Sequence, residues 1–340
     1  MHSKLRSLVA AVGAVGLFFA APAAHGDSVK ELAAIAAKKP PVIWYESTPP
    51  DQAARVVAAF NKRYPDIKVQ YVRSTGGGGI AAKVIQESEA GAATASFIVA
   101  DVQQLFPLNE RGFLVSRDWK PLGVDPALVR APFAVAVTAA IGVLVWNKNR
   151  VSEADLPKDW NGFLDSKWKG RLGVWVRTPT LATLAKDYGE QRMSEYVKSL
   201  LELKPMIYPS TFQLAQQVAA GEIDIGMGLY HSTVPVVKSG APLGVRFLDP
   251  TPLTVLYGAV ISKGGNPDGA QVLLAWLTTP EGALAYEEAV GRGNPFIKET
   301  DTAKEIGQRR RVEYAFDESK ALERLETELT KMMMSAGKQR

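Results

Sequence analysis

Ser74-Thr75-Gly76-Gly77-Gly78-Gly79 is the densest cluster of groups in the chain that could hold a small ligand. Glycines let backbone N–H groups turn toward a bound group, and Ser74 and Thr75 add hydroxyls. A helix starting at the end of this loop adds the positive end of its dipole. That chemistry suits a carboxylate, phosphate or phosphonate. A loop that only needs positive φ would use the same glycines. Other polar residues stand where predicted elements meet: Tyr45, Glu46 and Ser47, then Asp101, then Arg177, Thr178 and Thr180, then Tyr230 and His231. Strand ends are where open α/β sheets take ligands. Arg177 offers a bidentate anion contact.

Two rival chemistries share these residues. Gly76-x-Gly78-x-x-Ala81, with Asp101 ending the next strand, matches the spacing of a dinucleotide fingerprint. Against an oxidoreductase, the motif is not on the first strand, and an exported chain meets little NAD. Glu46 and Tyr230 are hard oxygen donors of the kind that bind Fe(III). Against a dedicated metal site, there is no cysteine and His is scarce. No G-x-S-x-G elbow, H-E-x-x-H or Cys nucleophile exists, so neither catalysis nor a cofactor is expected. His231 and Ser232 are sequence neighbours, which rarely make a triad.

The elements that must position these groups alternate. Pro41–Tyr45 reads as a buried strand, and Thr48-Pro49-Pro50-Asp51 as the start of a helix to Tyr64. Ile67–Val72 is a strand, 80–90 a helix and Ala95–Asp101 a strand. Ala134–Trp146 is a long β-like run. Leu172–Val176 leads to the helix start Thr178-Pro179-Thr180. Ser210 opens a helix that ends at Gly221, and Ile223–Met227 is the next strand. Strand–helix alternation predicts an α/β fold with doubly wound sheets. The tail over 302–331 reads as one charged helix with Leu322, Leu325 and Leu329 on one face, and Arg309-Arg310-Arg311 solvated within it.

His2, Lys4 and Arg6 followed by the apolar run Leu8–Ala21 and small residues read as a cleaved signal peptide over 1–26. The run is too short to span a bilayer. Without cysteine there is no lipid anchor, so a free periplasmic protein is expected. The net charge falls from +5 to +3 when Lys4 and Arg6 leave, too weak a bias to imply nucleic acid.

The order of motifs carries a resemblance. Val255–Tyr286 (VLYGAVISKGGNPDGAQVLLAWLTTPEGALAY) reads strand, turn, helix, turn. Ala100-Asp101-Val102, Trp146-Asn147-Lys148, Pro157-Lys158-Asp159-Trp160 and Trp168-Lys169-Gly170-Arg171-Leu172 precede it. From Pro41 to Pro295 the chain resembles type 2 bacterial solute-binding proteins, the receptors of ABC importers, in their ferric-ion-binding branch. The resemblance implies two α/β lobes, each a mixed sheet, hinged by crossover strands near Ala134–Thr138 and Leu253–Ala259. Lobe 1 would span 27–135 and 256–300, lobe 2 would span 136–255, and 301–340 would pack on one of them. It implies a monomer that binds a small anionic solute and docks on a membrane permease. In that branch two adjacent Tyr follow the strand matching Ile223–Met227, with a His and a Glu near the first strand. Here Tyr230 precedes His231, and Glu46 has no His beside it, so an organic or phosphorylated anion is expected rather than iron.

Overall fold

The computed structural model describes residues 28–74 and 79–337. The leader, and Thr75, Gly76, Gly77 and Gly78 of the glycine loop, lie outside the described residues. The strands are β1 (Val42–Glu46), β2 (Val69–Arg73), β3 (Phe97–Ala100), β4 (Val129–Ala131), β5 (Ala134–Asn147) and β6 (Leu172–Trp175). They continue as β7 (Met206–Tyr208), β8 (Ile225–Leu229), β9 (Leu243–Arg246), β10 (Thr251–Val260) and β11 (Arg311–Val312). Their order is β2-β1-β3-β10-β5-β8-β6-β7. In the first half β2, β1 and β3 are parallel, and β10 enters antiparallel between β3 and β5. In the second half β8, β6 and β7 are parallel. Both halves are therefore mixed α/β sheets.

β5 belongs to both. Val135–Ile141 pair with β10, and Gly142–Trp146 pair with β8. It can do so because thirteen of its fourteen residues are buried and its chain stays extended through Gly142. With β10 beside it, β5 is the crossover between the halves. One apolar cluster, including Tyr45, Ile141, Trp146 and Leu214, runs through both. A second, around Trp44, Phe97 and Leu274, fills the other face of the first half.

Element edges shift where side chains find other work. The helix Pro50–Arg63 starts without a side-chain cap, because the Thr48 hydroxyl turns to Glu46 instead. Helix Pro267–Leu277 is enclosed on all sides, with every residue from Gly269 to Leu277 buried. The tail is not one helix. It is Asp301–Ile306, then β11, then Ser319–Gly337. Arg311 pairs with β10 and Arg310 with Asp187, so the basic triplet is neither helical nor simply solvated. The last helix buries Leu322, Leu325, Leu329 and Met333. It reaches both halves: Arg324 pairs with Glu190 at 2.6 Å, and Lys320 with Glu110 at 3.5 Å. Just before it, Phe316 sits 4.9 Å from Phe133.

Candidate functional site

A cleft of about 530 Å³ lies between the halves. Its first wall carries Ser47 at the end of β1, Asp101 and Gln103 after β3, and Arg292 beyond helix Pro280–Val290. Its second wall carries Trp175 and Arg177 at the end of β6, Ser210 and Phe212 at a helix start, and His231 after β8. β10 lines it with Leu253–Tyr257, and the tail adds Glu326.

Arg292 is the best-determined group in the cleft. Gly291 closes the preceding helix at φ 74°, a left-handed turn that glycine adopts without strain. The loop is then tied to β5: Thr138 Oγ1 donates to the Arg292 carbonyl at 2.8 Å, and Asn294 Nδ2 to the Ala136 carbonyl at 2.9 Å. Behind the guanidinium, Nη2 donates to Glu46 Oε1 at 2.8 Å, Thr48 Oγ1 at 2.9 Å and Tyr286 Oη at 3.2 Å. Tyr286 and Thr48 also donate to Glu46 Oε1, at 2.5 and 2.7 Å. Arg292 is only 7 % exposed and Glu46 fully buried. Nε, enclosed on the same side of the guanidinium as Nη2, has no partner among the described residues, and the residue lines the cleft. A buried donor without an acceptor costs about 1–3 kcal/mol, and more when charged, so such atoms mark binding positions.

His231 faces the same cleft. Its ring meets the edge of Phe212 at 5.9 Å, and its Nδ1 has no partner. Burial first, and the Arg292 charge second, lower its pKa to about 3, so the imidazole is neutral near pH 7. Its contribution to an anion is a hydrogen bond rather than a charge.

Arg177 has the opposite fate. Its Nη2 donates to Glu326 Oε1 at 2.8 Å, and Gln103 Nε2 reaches Glu326 Oε2 at 3.3 Å. The tail thus supplies this arginine with its own carboxylate. Asp101 caps the helix Val102–Glu110, accepting from the Gln104 amide at 3.2 Å. That is the helix-start role, not a ribose contact. β2 and β3 are also separated by β1, unlike adjacent dinucleotide-binding strands.

Of the residues picked out by sequence, Ser47, Asp101, Arg177 and His231 line the cleft. Ser74 lines an adjoining hollow that shares Ser47, Asp101 and Arg177 with it. Thr75, Gly76 and Gly77 lie outside the described residues. Five others are corrected. Tyr45 points to the opposite face of β1 from Glu46, with its hydroxyl on Glu87. Glu46 lies behind Arg292 rather than in the cleft. The Thr178 hydroxyl is spent on the Glu326 carbonyl and Thr330. Thr180 fills the space beside Gly142, packing against β5. Tyr230 packs on Phe247 at 4.9 Å, and burial raises its phenol to about 12. Arg292, Phe212 and Glu326 were not singled out by sequence. For Arg292 the available signal was a cation between two glycines just past a helix end.

Glu46 is committed to Arg292, Tyr230 packs on Phe247 outside the cleft lining, and among the described residues no three His, Cys, Asp or Glu cluster to hold a metal.

Comparison with known proteins agrees with this architecture. The major ferric iron-binding protein of Neisseria gonorrhoeae is 30 % identical over 183 residues, which is 49 % of this chain and 54 % of that protein. The chain thus spans about half the length of that curated relative. Iron-bound HitA from Pseudomonas aeruginosa superposes with a TM-score of 0.69 at 19 % identity, covering 85 % of this chain and 99 % of that one. The periplasmic binding protein AfuA from Actinobacillus pleuropneumoniae, with fructose-6-phosphate bound, gives 0.69 at 19 %, covering 86 % and 98 %. At that identity the likeness carries the two-lobed fold alone. Residues 55–310 match one family across most of the described chain, and on that match this protein belongs to the bacterial extracellular solute-binding proteins.

Proposed function

We propose that this chain is the periplasmic substrate-binding component of an ABC importer, and that it captures a small organic anion between its lobes. Lobe 1 is taken as 27–135 with 256–300, and lobe 2 as 136–255. The observation that carries the reading is Arg292, a buried cation in the cleft lining that Glu46, Thr48 and Tyr286 hold through Nη2, with Nε unpartnered among the described residues. An anion there would satisfy Nε with a charge-assisted bond, the stronger class of hydrogen bond. Closure of the lobes about β5 and β10 would bring Phe212 and His231 onto the same ligand. The partners are then the solute and a membrane permease. The chain acts as a monomer, without nucleic acid and without turnover of its ligand.

The named relatives bind different things: ferric iron in one, fructose-6-phosphate in another. The placement of Glu46 and Tyr230 favours the organic anion. Isothermal titration against carboxylates, phosphates, phosphonates and neutral sugars tests it. One anion is expected to bind with one site per chain, and Arg292→Lys to weaken it at least ten-fold. Binding of neutral sugars alone overturns the reading.

A further inference from the structure

The cleft is much larger than an inorganic oxyanion needs. Water occupies about 30 Å³ per molecule in the liquid, and the cleft holds about 530 Å³. Arg292 therefore accounts for one end of a ligand whose body extends well beyond its anionic group. What meets that body is the second wall, and this wall is short of free charge. Arg177 is satisfied by Glu326, and His231 is neutral. What it offers instead is aromatic surface. Phe212 is 40 % exposed at the start of helix Thr211–Ala220, although its neighbours Thr211 and Leu214 are buried. Its ring meets His231 at an interplanar angle of 75°, an edge contact. Beside it Trp175 is anchored by Nε1 on the Pro209 carbonyl at 3.2 Å, with Arg177 5.3 Å from its ring centre. Large rings left open in a cleft are ordinarily covered by a ligand, and flat π-systems cover them best.

We propose that the ligand is an organic anion with a flat, unsaturated body, its charged group on Arg292 and its plane against Phe212 and Trp175. This rests on the anion reading of Arg292 and adds the class of solute. Phe212 sets the shape preference. His231 backs the Phe212 ring and offers a hydrogen bond to a polar substituent. Beside Ser210 and Thr211, which can bond hydroxyls, the open Phe212 ring is what rewards a flat body over a saturated one.

The test compares probes of equal charge and different shape. Benzoate is set against cyclohexanecarboxylate, and phenyl phosphate against fructose 6-phosphate and inorganic phosphate, by titration calorimetry on the full chain. Each flat probe is expected to bind at least ten-fold more tightly than its non-flat counterpart. Phe212→Ala is expected to remove most of that difference by weakening the flat probes more than the non-flat ones, while Phe212→Tyr retains it. Phe212 is exposed, so its replacement leaves the core intact, and an unchanged thermal midpoint verifies this. Preference for fructose 6-phosphate over phenyl phosphate, or Phe212→Ala with unchanged discrimination, overturns the flat-body inference and leaves the anion reading standing. Arg292→Lys with unchanged affinity for every probe overturns the anion reading and this inference with it.

Discussion

The two walls of the cleft use arginine in opposite ways. On the first wall, Arg292 is pinned by Glu46, Thr48 and Tyr286, and its Nε is left without a partner among the described residues. On the second wall, Arg177 is 53 % exposed at the side chain and already paired with a carboxylate from the tail. The same residue type is a preset binding group in one place and a structural tie in the other. The difference lies in who supplies the anion. Where a buried network holds the cation from behind, its remaining donor stays available. Where a flexible side chain can turn to a nearby carboxylate, it does. A cationic residue at a cleft is thus informative only once its partners are known.

Several substitutions would break or sharpen this contrast. The largest effect is expected for Arg292→Met. It leaves Glu46 as an unpaired buried carboxylate, which typically costs about 3–5 kcal/mol. Urea unfolding should show that loss, and Glu46→Gln in the same chain should recover part of it. A double variant no more stable than Arg292→Met would mean that the Glu46–Arg292 pair is not what the fold depends on.

An intermediate effect is expected on acidification. The folded pKa of His231 is depressed to about 3, while the unfolded imidazole titrates near 6.5. Below pH 6.5 the unfolded chain takes up a proton that the fold refuses. Stability should therefore fall as pH drops from 6.5 toward 3, by at most about 1.4 kcal/mol per pH unit from this group. His231→Gln should flatten that part of the profile. Anion affinity should gain nothing from this histidine between pH 8 and 5.5. A rise in affinity below 6.5 that vanishes in His231→Gln would show it binding as a cation.

Arg177→Ala should do less. Arg177 is half exposed but Glu326 is buried, so the loss should lie between the about 0–1 kcal/mol of a surface pair and the larger cost of Arg292→Met. Ligand affinity should stay within about three-fold, because Glu326 already occupies this cation. A loss comparable to that of Arg292→Lys would make the two walls equivalent and remove the contrast. The smallest change is expected for Tyr230→Phe in iron-treated protein. Packed on Phe247 and outside the cleft lining, Tyr230 should support no visible phenolate–iron band, and absorbance should match the parent.

The fold was largely legible because its signals are local. β5 announces itself as an unbroken apolar run, and Asn266 and Ser210 sit where helix caps belong. The site was legible only in part. Ser47, Asp101, Arg177 and His231 stand at element ends, which sequence can place. Whether a residue at such an end faces the cleft depends on strand parity and on distant partners. Tyr45 and Glu46 are adjacent, so they point to opposite faces. Glu46 meets Arg292 across a separation of 246 residues, and nothing local predicts that contact. Phe212 read as one more residue of a helix start, because exposure is a tertiary property. The tail helix broke at β11 since Arg311 found a strand to pair with, a long-range choice that outweighs helix propensity.

The position of β10 has a consequence in time. It is made after the whole second half of the chain, yet it lies between β3 and β5. The sheet of the first half stays open along β3 until residues 251–260 have been synthesised. A nascent chain carrying only the first hundred residues has an unpaired strand edge and an uncovered core. Such long-range pairing slows folding. If the chain is exported unfolded, as its proposed periplasmic role would require, that delay would keep it threadable while most of it is still being made. A fragment that ends before β10 should aggregate rather than fold, and swapping lobes between relatives should require both segments of the first.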